Sequence, residues 1–117
     1  MTVYGLPNCD TTRAAIKWLK ERQIPYTFYD FKSEGLSESQ VRDWLTKVPV
    51  EKLLNKQSTA WRGLSPEEQA TANTIDGAVS LITKYSNLVK RPLIAWPGGS
   101  FTVGYKEEML TSNLTDR

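Results

Sequence analysis

An α/β fold is what this sequence predicts, and three observations predict it. Residues 2–31 read strand, helix, strand, and such a unit pairs its strands in parallel. Residues 93–103 read as two short strands about the turn Pro97-Gly98-Gly99, an antiparallel hairpin followed by a last helix. Between these halves the apolar pattern is helical.

Each element has a local cause. Val3 and Tyr4 give residues 2–6 their strand character, and Pro7-Asn8 turns the chain. A helix follows over Thr11–Arg22, its face marked by Ala15, Trp18, Leu19 and Arg22, with Ala14 and Ile16 beside it. Pro25 ends that region, and the aromatic run Tyr26-Thr27-Phe28-Tyr29-Asp30-Phe31 is the strongest strand signal in the chain. Gly35 breaks it. Ser37 and Gln40 then form a capping box before Val41, Trp44, Leu45 and Val48, which repeat at amphipathic helix spacing. Pro49 interrupts, Glu51–Leu54 makes a further turn, and 55–63 is a polar loop holding Trp61 and Arg62. Ser65-Pro66-Glu67-Glu68 is a second helix start. Ile75, Ala78, Val79 and Ile82 mark another helical face. Lys90-Arg91-Pro92 leads into the strand Leu93–Trp96, and Phe101–Val103 completes the hairpin. The last helix starts over Lys106–Leu110, with a frayed tail at 111–117.

A βαβ half joined to a ββα half is the thioredoxin arrangement, a mixed four-stranded sheet. The expectation is a single thioredoxin-like domain over 1–117 with a helical insertion at about 36–88. In that fold a cis proline precedes the final hairpin and faces a reactive cysteine at the start of the first helix. Pro92 stands at the proline position; the alternative is a trans proline that blunts the start of a strand.

Composition narrows the chemistry. With 39% hydrophobic and 24% charged residues, the 117-residue chain suits one soluble globular domain. Its net charge of +2 is too balanced for a general nucleic-acid surface. No apolar run has the length of a membrane span, and the first residues lack a signal-peptide pattern. Histidine is absent and cysteine occurs once, which excludes Cys-His and Ser-His-Asp machinery and any intrachain disulfide. A zinc site has no support, nor does a phosphate-binding glycine loop. These features fit a reducing cytoplasm, no membrane partner and no metal. Trp18, Trp44 and the strand aromatics read as core, since no basic stripe accompanies them.

The one thiol, Cys9, falls where the turn meets the first helix. A helix N-terminus favours the thiolate, the nucleophilic form. The opposing reading is a small buried hydrophobe, but turn-to-helix junctions tend to lie near the surface.

Asn8-Cys9-Asp10-Thr11-Thr12-Arg13, Glu51-Lys52-Leu53-Leu54-Asn55 and Lys90-Arg91-Pro92-Leu93-Ile94 together resemble the arsenate reductase (ArsC) family of thioredoxin-like proteins, which also contains the Spx regulators. With Thr59-Ala60-Trp61-Arg62, the likeness is greatest to the YffB-type branch and covers nearly the whole chain. The resemblance implies a cysteine that attacks a substrate and is resolved by glutathione or another external thiol, with no bound cofactor. Thr12 stands where a Cys-x-x-Cys motif has its second cysteine, so the second thiol must come from outside. Arsenate reductases of the family hold their oxyanion with three arginines. Arg91 matches one; Asn55 replaces another, and no arginine lies around Gly104-Tyr105. Asparagine cannot supply the charge, so the set disfavours arsenate unless Arg62 or Arg13 moves in.

The candidate site is therefore Cys9 as nucleophile, with Arg91, Arg62, Thr11, Thr12, Arg13 and Asn8 as groups that stabilise the thiolate or bind substrate. Each has a plainer alternative. Arg91 is either a support for the thiolate or a solvated strand-edge residue; Arg62 either covers the cysteine with Trp61 or points to water. Arg13 opposes the helix dipole and reads better as a surface residue. Thr11 and Thr12 offer hydroxyls to the sulfur or cap the helix. Asp10 suits the helix N-terminus but would raise a neighbouring thiol pKa. The leading expectation is a glutathione-dependent thiol–disulfide oxidoreductase. It would act as a monomer on a thiol or disulfide substrate, with glutaredoxin as a further candidate partner. Arsenate reduction on the same cysteine is the enzymatic alternative. A regulator that binds RNA polymerase, as Spx does, is the alternative of another class.

Overall fold

The computed structural model describes residues 1–115. Its backbone divides into two compact units. One comprises Met1–Glu34 with the described chain from Arg91 onward, and the other is Gly35–Lys90.

The first unit holds the sheet. Strands β1 (Thr2–Gly5), β2 (Thr27–Asp30), β3 (Leu93–Ala95) and β4 (Phe101–Val103) lie in the order β2-β1-β3-β4. β1 pairs parallel with β2, Val3 opposite Phe28, and antiparallel with β3, Val3 opposite Ile94. β3 and β4 are antiparallel, Ile94 opposite Thr102. The sheet is thus mixed, with β1 and β3 central, as the thioredoxin arrangement requires. Helix α1 (Asp10–Glu21) buries Thr12, Ala15, Trp18 and Leu19. Val3, Ala15, Trp18, Leu19, Ile94, Trp96 and Leu110 form one buried cluster. Inside it, the Trp96 indole N–H donates to Thr102 Oγ1 at 2.9 Å, which satisfies both polar groups.

Two elements of this unit depart from the sequence expectation. Phe31 does not continue β2 but opens a one-turn helix, α2 (Phe31–Glu34). The Asp30 carboxylate accepts the Lys32 N–H at 2.9 Å and turns the chain. Phe31 is then buried, with its ring 6.5 Å from that of Tyr4. The expected frayed tail is helical through Thr115, and the rest of it lies outside the described residues. Asn113 ties it down, donating to the Met109 carbonyl and accepting from the Ser100 hydroxyl, both at 2.9 Å.

The second unit is helical: α3 (Glu38–Leu45), α4 (Val50–Leu53), α5 (Thr59–Arg62), α6 (Pro66–Thr71), α7 (Ile75–Lys84) and a 3₁₀ turn at Ser86–Leu88. The capping box at α3 is complete, with Ser37 and Gln40 bonding each other's backbone N–H groups at 3.1 and 2.9 Å. Helix α5 stands within the expected polar loop, nucleated by Ser58, which accepts the Trp61 N–H at 3.1 Å. Val41, Trp44, Ala78, Val79 and Ile82 are buried, whereas Ile75, at the first position of α7, is 53% exposed and does not join that face. An isolated antiparallel bridge pairs Leu54, just after α4, with Val89 near the end of the unit.

Candidate functional site

Cys9 is delivered by a tight turn. Its N–H donates to the Leu6 carbonyl at 3.2 Å, closing Leu6–Cys9 with Pro7 and an exposed Asn8 at the centre. Pro7 presets the second turn position by its fixed φ. Cys9 then becomes the N-cap of α1 with an extended backbone (φ −93°, ψ 126°), and its carbonyl accepts the Arg13 N–H at 2.9 Å. The side chain does not cap the helix.

The half-buried Cys9 sulfur lies 3.2 Å from Thr11 Oγ1, and the Thr11 hydroxyl donates to the Arg91 carbonyl at 2.9 Å. A threonine hydroxyl carries one proton. While that proton serves the Arg91 carbonyl, the Thr11 oxygen accepts from the thiol S–H. Once the thiol ionises, the same proton can turn to the sulfur. Burial is the largest single influence on Cys9 and pushes its pKa up. The nearby Thr11 hydroxyl, Thr12 backbone N–H and hydroxyl, and Arg91 side chain favour the thiolate, outweigh burial and lower the pKa from 9.0 to about 6. A thiol so placed is mostly thiolate at neutral pH.

Arg91, half-buried, reaches the site from the segment before β3, and the Arg91–Pro92 peptide bond is cis. The buried Pro92 accepts at its carbonyl from the Gly104 N–H at 2.9 Å, Gly104 lying in the left-handed region at φ +86°. No arginine follows the hairpin at Gly104 or Tyr105. Arg13 forms an exposed ion pair with Asp10 on the same helix, so each meets the other's charge rather than the sulfur alone. Arg62 ends α5 in the second unit and is exposed. Asn55, also in that unit, accepts the Gln57 N–H at its side-chain oxygen at 3.1 Å. Thus Cys9, Thr11, Thr12 and Arg91 come together within the first unit, whereas Asn8 and Arg13 are exposed at its edge.

One neighbour was not anticipated from the sequence. Gly5, the buried last residue of β1, lies directly against the Thr12 side chain; a Cβ built there would stand 2.6 Å from Thr12 Oγ1. A glycine inside a strand can mark such a close approach, but the sequence does not say of what. Among the described residues, no group of three His, Cys, Asp or Glu side chains could hold a metal ion. No described helix is long and apolar enough to cross a membrane.

Comparison with known proteins gives this geometry its setting. A solved structure of a YffB protein superposes with a TM-score of 0.89 at 29% identity, covering 97% of each chain. The solution structure of an arsenate reductase (ArsC) related protein from Brucella melitensis is 35% identical, with a TM-score of 0.74, over 95% of this chain and 91% of that one. The global transcriptional regulator Spx of Listeria innocua is 28% identical over 100% of this chain and 88% of its own. The sequence model of the ArsC family matches residues 4–112, so the turn, the thiol, the helical unit and the final hairpin all fall within it. This chain belongs to the ArsC family.

Proposed function

We propose that the protein is a monothiol oxidoreductase that reduces mixed disulfides with glutathione, Cys9 being the nucleophile. The observation that carries this reading is the placement of Cys9 at the start of α1, its sulfur 3.2 Å from a Thr11 hydroxyl that is itself tied to the Arg91 carbonyl at 2.9 Å, a setting that pulls the thiol pKa down to about 6. The Cys9 thiolate attacks the glutathione sulfur of a mixed disulfide. The S–S bond breaks, the substrate leaves as a thiolate that takes up a proton, and Cys9 is left joined to glutathione. A second glutathione thiolate attacks that sulfur, releasing oxidised glutathione and restoring the Cys9 thiolate. Each turnover consumes one glutathione thiol: its sulfur joins the glutathione sulfur of the mixed disulfide in oxidised glutathione, and the substrate sulfur is released as a thiol. No second protein cysteine is needed, in keeping with the single cysteine of the chain. Arg91 serves the thiolate and offers a cation to a glutathione carboxylate. Arg62 is assigned no step.

Arsenate is the weaker substrate candidate, because the resemblance places family arginines at Asn55 and around Gly104-Tyr105, and this chain has none there. A regulatory role through RNA polymerase is the second reading, favoured by the whole-length likeness to Spx. One experiment separates these readings. The protein is incubated with a glutathionylated peptide and glutathione, alongside Cys9→Ser, and peptide release and the Cys9 adduct are followed by mass spectrometry. Turnover that requires Cys9 and passes through a Cys9–glutathione adduct is the expected result. No adduct and no release above the Cys9→Ser level would refute the enzyme reading, and capture of RNA polymerase by the same preparation would replace it with the regulatory one.

A further inference from the structure

Thr12 carries an unusual polar atom. The residue is fully buried, and its Oγ1 makes no hydrogen bond among the described residues. A buried hydroxyl without a partner is unfavourable and calls for a reason. Thr12 is the third residue of α1, so its side chain lies on the turn that presents Cys9, and its hydroxyl acts on the Cys9 sulfur. A thiolate accepts from such a hydroxyl far more strongly than a thiol does, so ionisation of Cys9 supplies the partner that Thr12 lacks.

Gly5 holds the other side of this side chain. A Cβ at position 5 would meet Thr12 Oγ1 at 2.6 Å and Thr12 Cγ2 at 2.9 Å, both below any real Cβ contact. Gly5 sits in regular parallel pairing with Asp30, and its φ is not in the left-handed region. Its backbone would thus accept alanine, and what the glycine supplies is space. In a helix the β-branched Thr12 has few χ1 choices. A side chain at position 5 would therefore displace Oγ1 from the place it holds beside the turn that presents Cys9.

We infer that Gly5 is a positioning residue for the thiolate: the missing side chain at the end of β1 fixes the Thr12 hydroxyl toward Cys9. The inference rests on the reading of Cys9 as an activated nucleophile. It concerns the thiol itself, however, and holds whatever the substrate. The charged groups about the sulfur are Asp10, paired with Arg13 on α1, and Arg91 from the segment before β3. None of them is altered by a change at position 5.

The test is a cycle of Gly5→Ala, Thr12→Val and the double variant, each titrated by the pH dependence of Cys9 alkylation with iodoacetamide. Loss of one hydroxyl donor corresponds to about a tenfold smaller thiolate-to-thiol ratio at a given pH, a midpoint about one unit higher. Each single variant should show that rise, and the double variant should show no more than Thr12→Val alone. A folded Gly5→Ala protein with the wild-type midpoint overturns the inference, as does a double variant whose shift equals the sum of the two. Should Gly5→Ala unfold, Thr12→Val decides the thiolate part, a wild-type midpoint overturning the inference, and Gly5→Ala/Thr12→Ala decides the contact by urea denaturation. Removing Oγ1 and Cγ2 must then restore folding, and a double variant no more stable than Gly5→Ala refutes the contact. Because alkylation needs neither glutathione nor a disulfide substrate, failure here is distinct from failure of the oxidoreductase reading.

Discussion

Replacing Thr11 by valine tests the chemistry of the site more sharply than any single-pH activity assay. Valine keeps the shape and deletes the one hydroxyl that lies 3.2 Å from the Cys9 sulfur and 2.9 Å from the Arg91 carbonyl. A hydrogen bond to a charged group contributes about 1.5–3 kcal/mol, or about one to two pKa units. The sulfur is only half-buried, and solvent screening places the effect at the low end. Starting from about 6, the midpoint should rise by about one unit. A more basic thiolate is also the better nucleophile, by about threefold per unit at a Brønsted slope of about 0.4–0.5. The two effects oppose each other. Reaction with a neutral aromatic disulfide should be about threefold slower than wild type near pH 5.5 and about threefold faster above pH 8.5, the curves crossing between about pH 6 and 7. Stopped-flow rates across that range check it. A midpoint within about 0.3 units of wild type would sink the reasoning, because the hydroxyl would then contribute nothing to the thiolate.

Stability should carry the same signature. The folded thiol pKa of about 6 lies below the roughly 8.5 of an unfolded cysteine, so between these values the unfolded state binds more protons. Relative to Cys9→Ser, the wild-type protein should therefore gain stability as pH rises from about 6 to 8.5 and lose that gain as pH falls through about 6, read by urea denaturation at each pH. In the helical unit, a Cβ at Gly77 would fall 1.7 Å from the Thr71 carbonyl oxygen. Gly77→Ala should cost about 2 kcal/mol or more, and thermal unfolding within a degree of wild type would contradict that contact.

Local chemistry made much of this protein legible from its residues alone. The aromatic and β-branched runs at Val3-Tyr4 and Thr27–Tyr29 are strands, and Ser37 with Gln40 starts α3. Trp18 and Trp44 are core residues, each 2% exposed. These features depend on neighbours within a few positions, where propensity and capping act. Phe31 and the tail at 111–115 misled for one reason. In each, a hydrogen bond overrode the local pattern: Asp30 capturing Lys32 N–H two positions on, which strand propensity does not register, and Ser100 meeting Asn113 from thirteen positions away.

The site divides along the same line. The sequence by itself determined that any thiol chemistry rests on Cys9, that no second cysteine resolves it, and that the thiol begins a helix. Those conclusions need only composition and the order of residues. Tertiary structure alone decided what surrounds the sulfur. It joined Thr11 to the Arg91 carbonyl across 80 positions of sequence, and it set Gly5 against Thr12. A pKa depends on which groups lie within a few ångströms of the ionising atom. Here those groups come from α1 and the segment before β3, which only the folded sheet brings to one place.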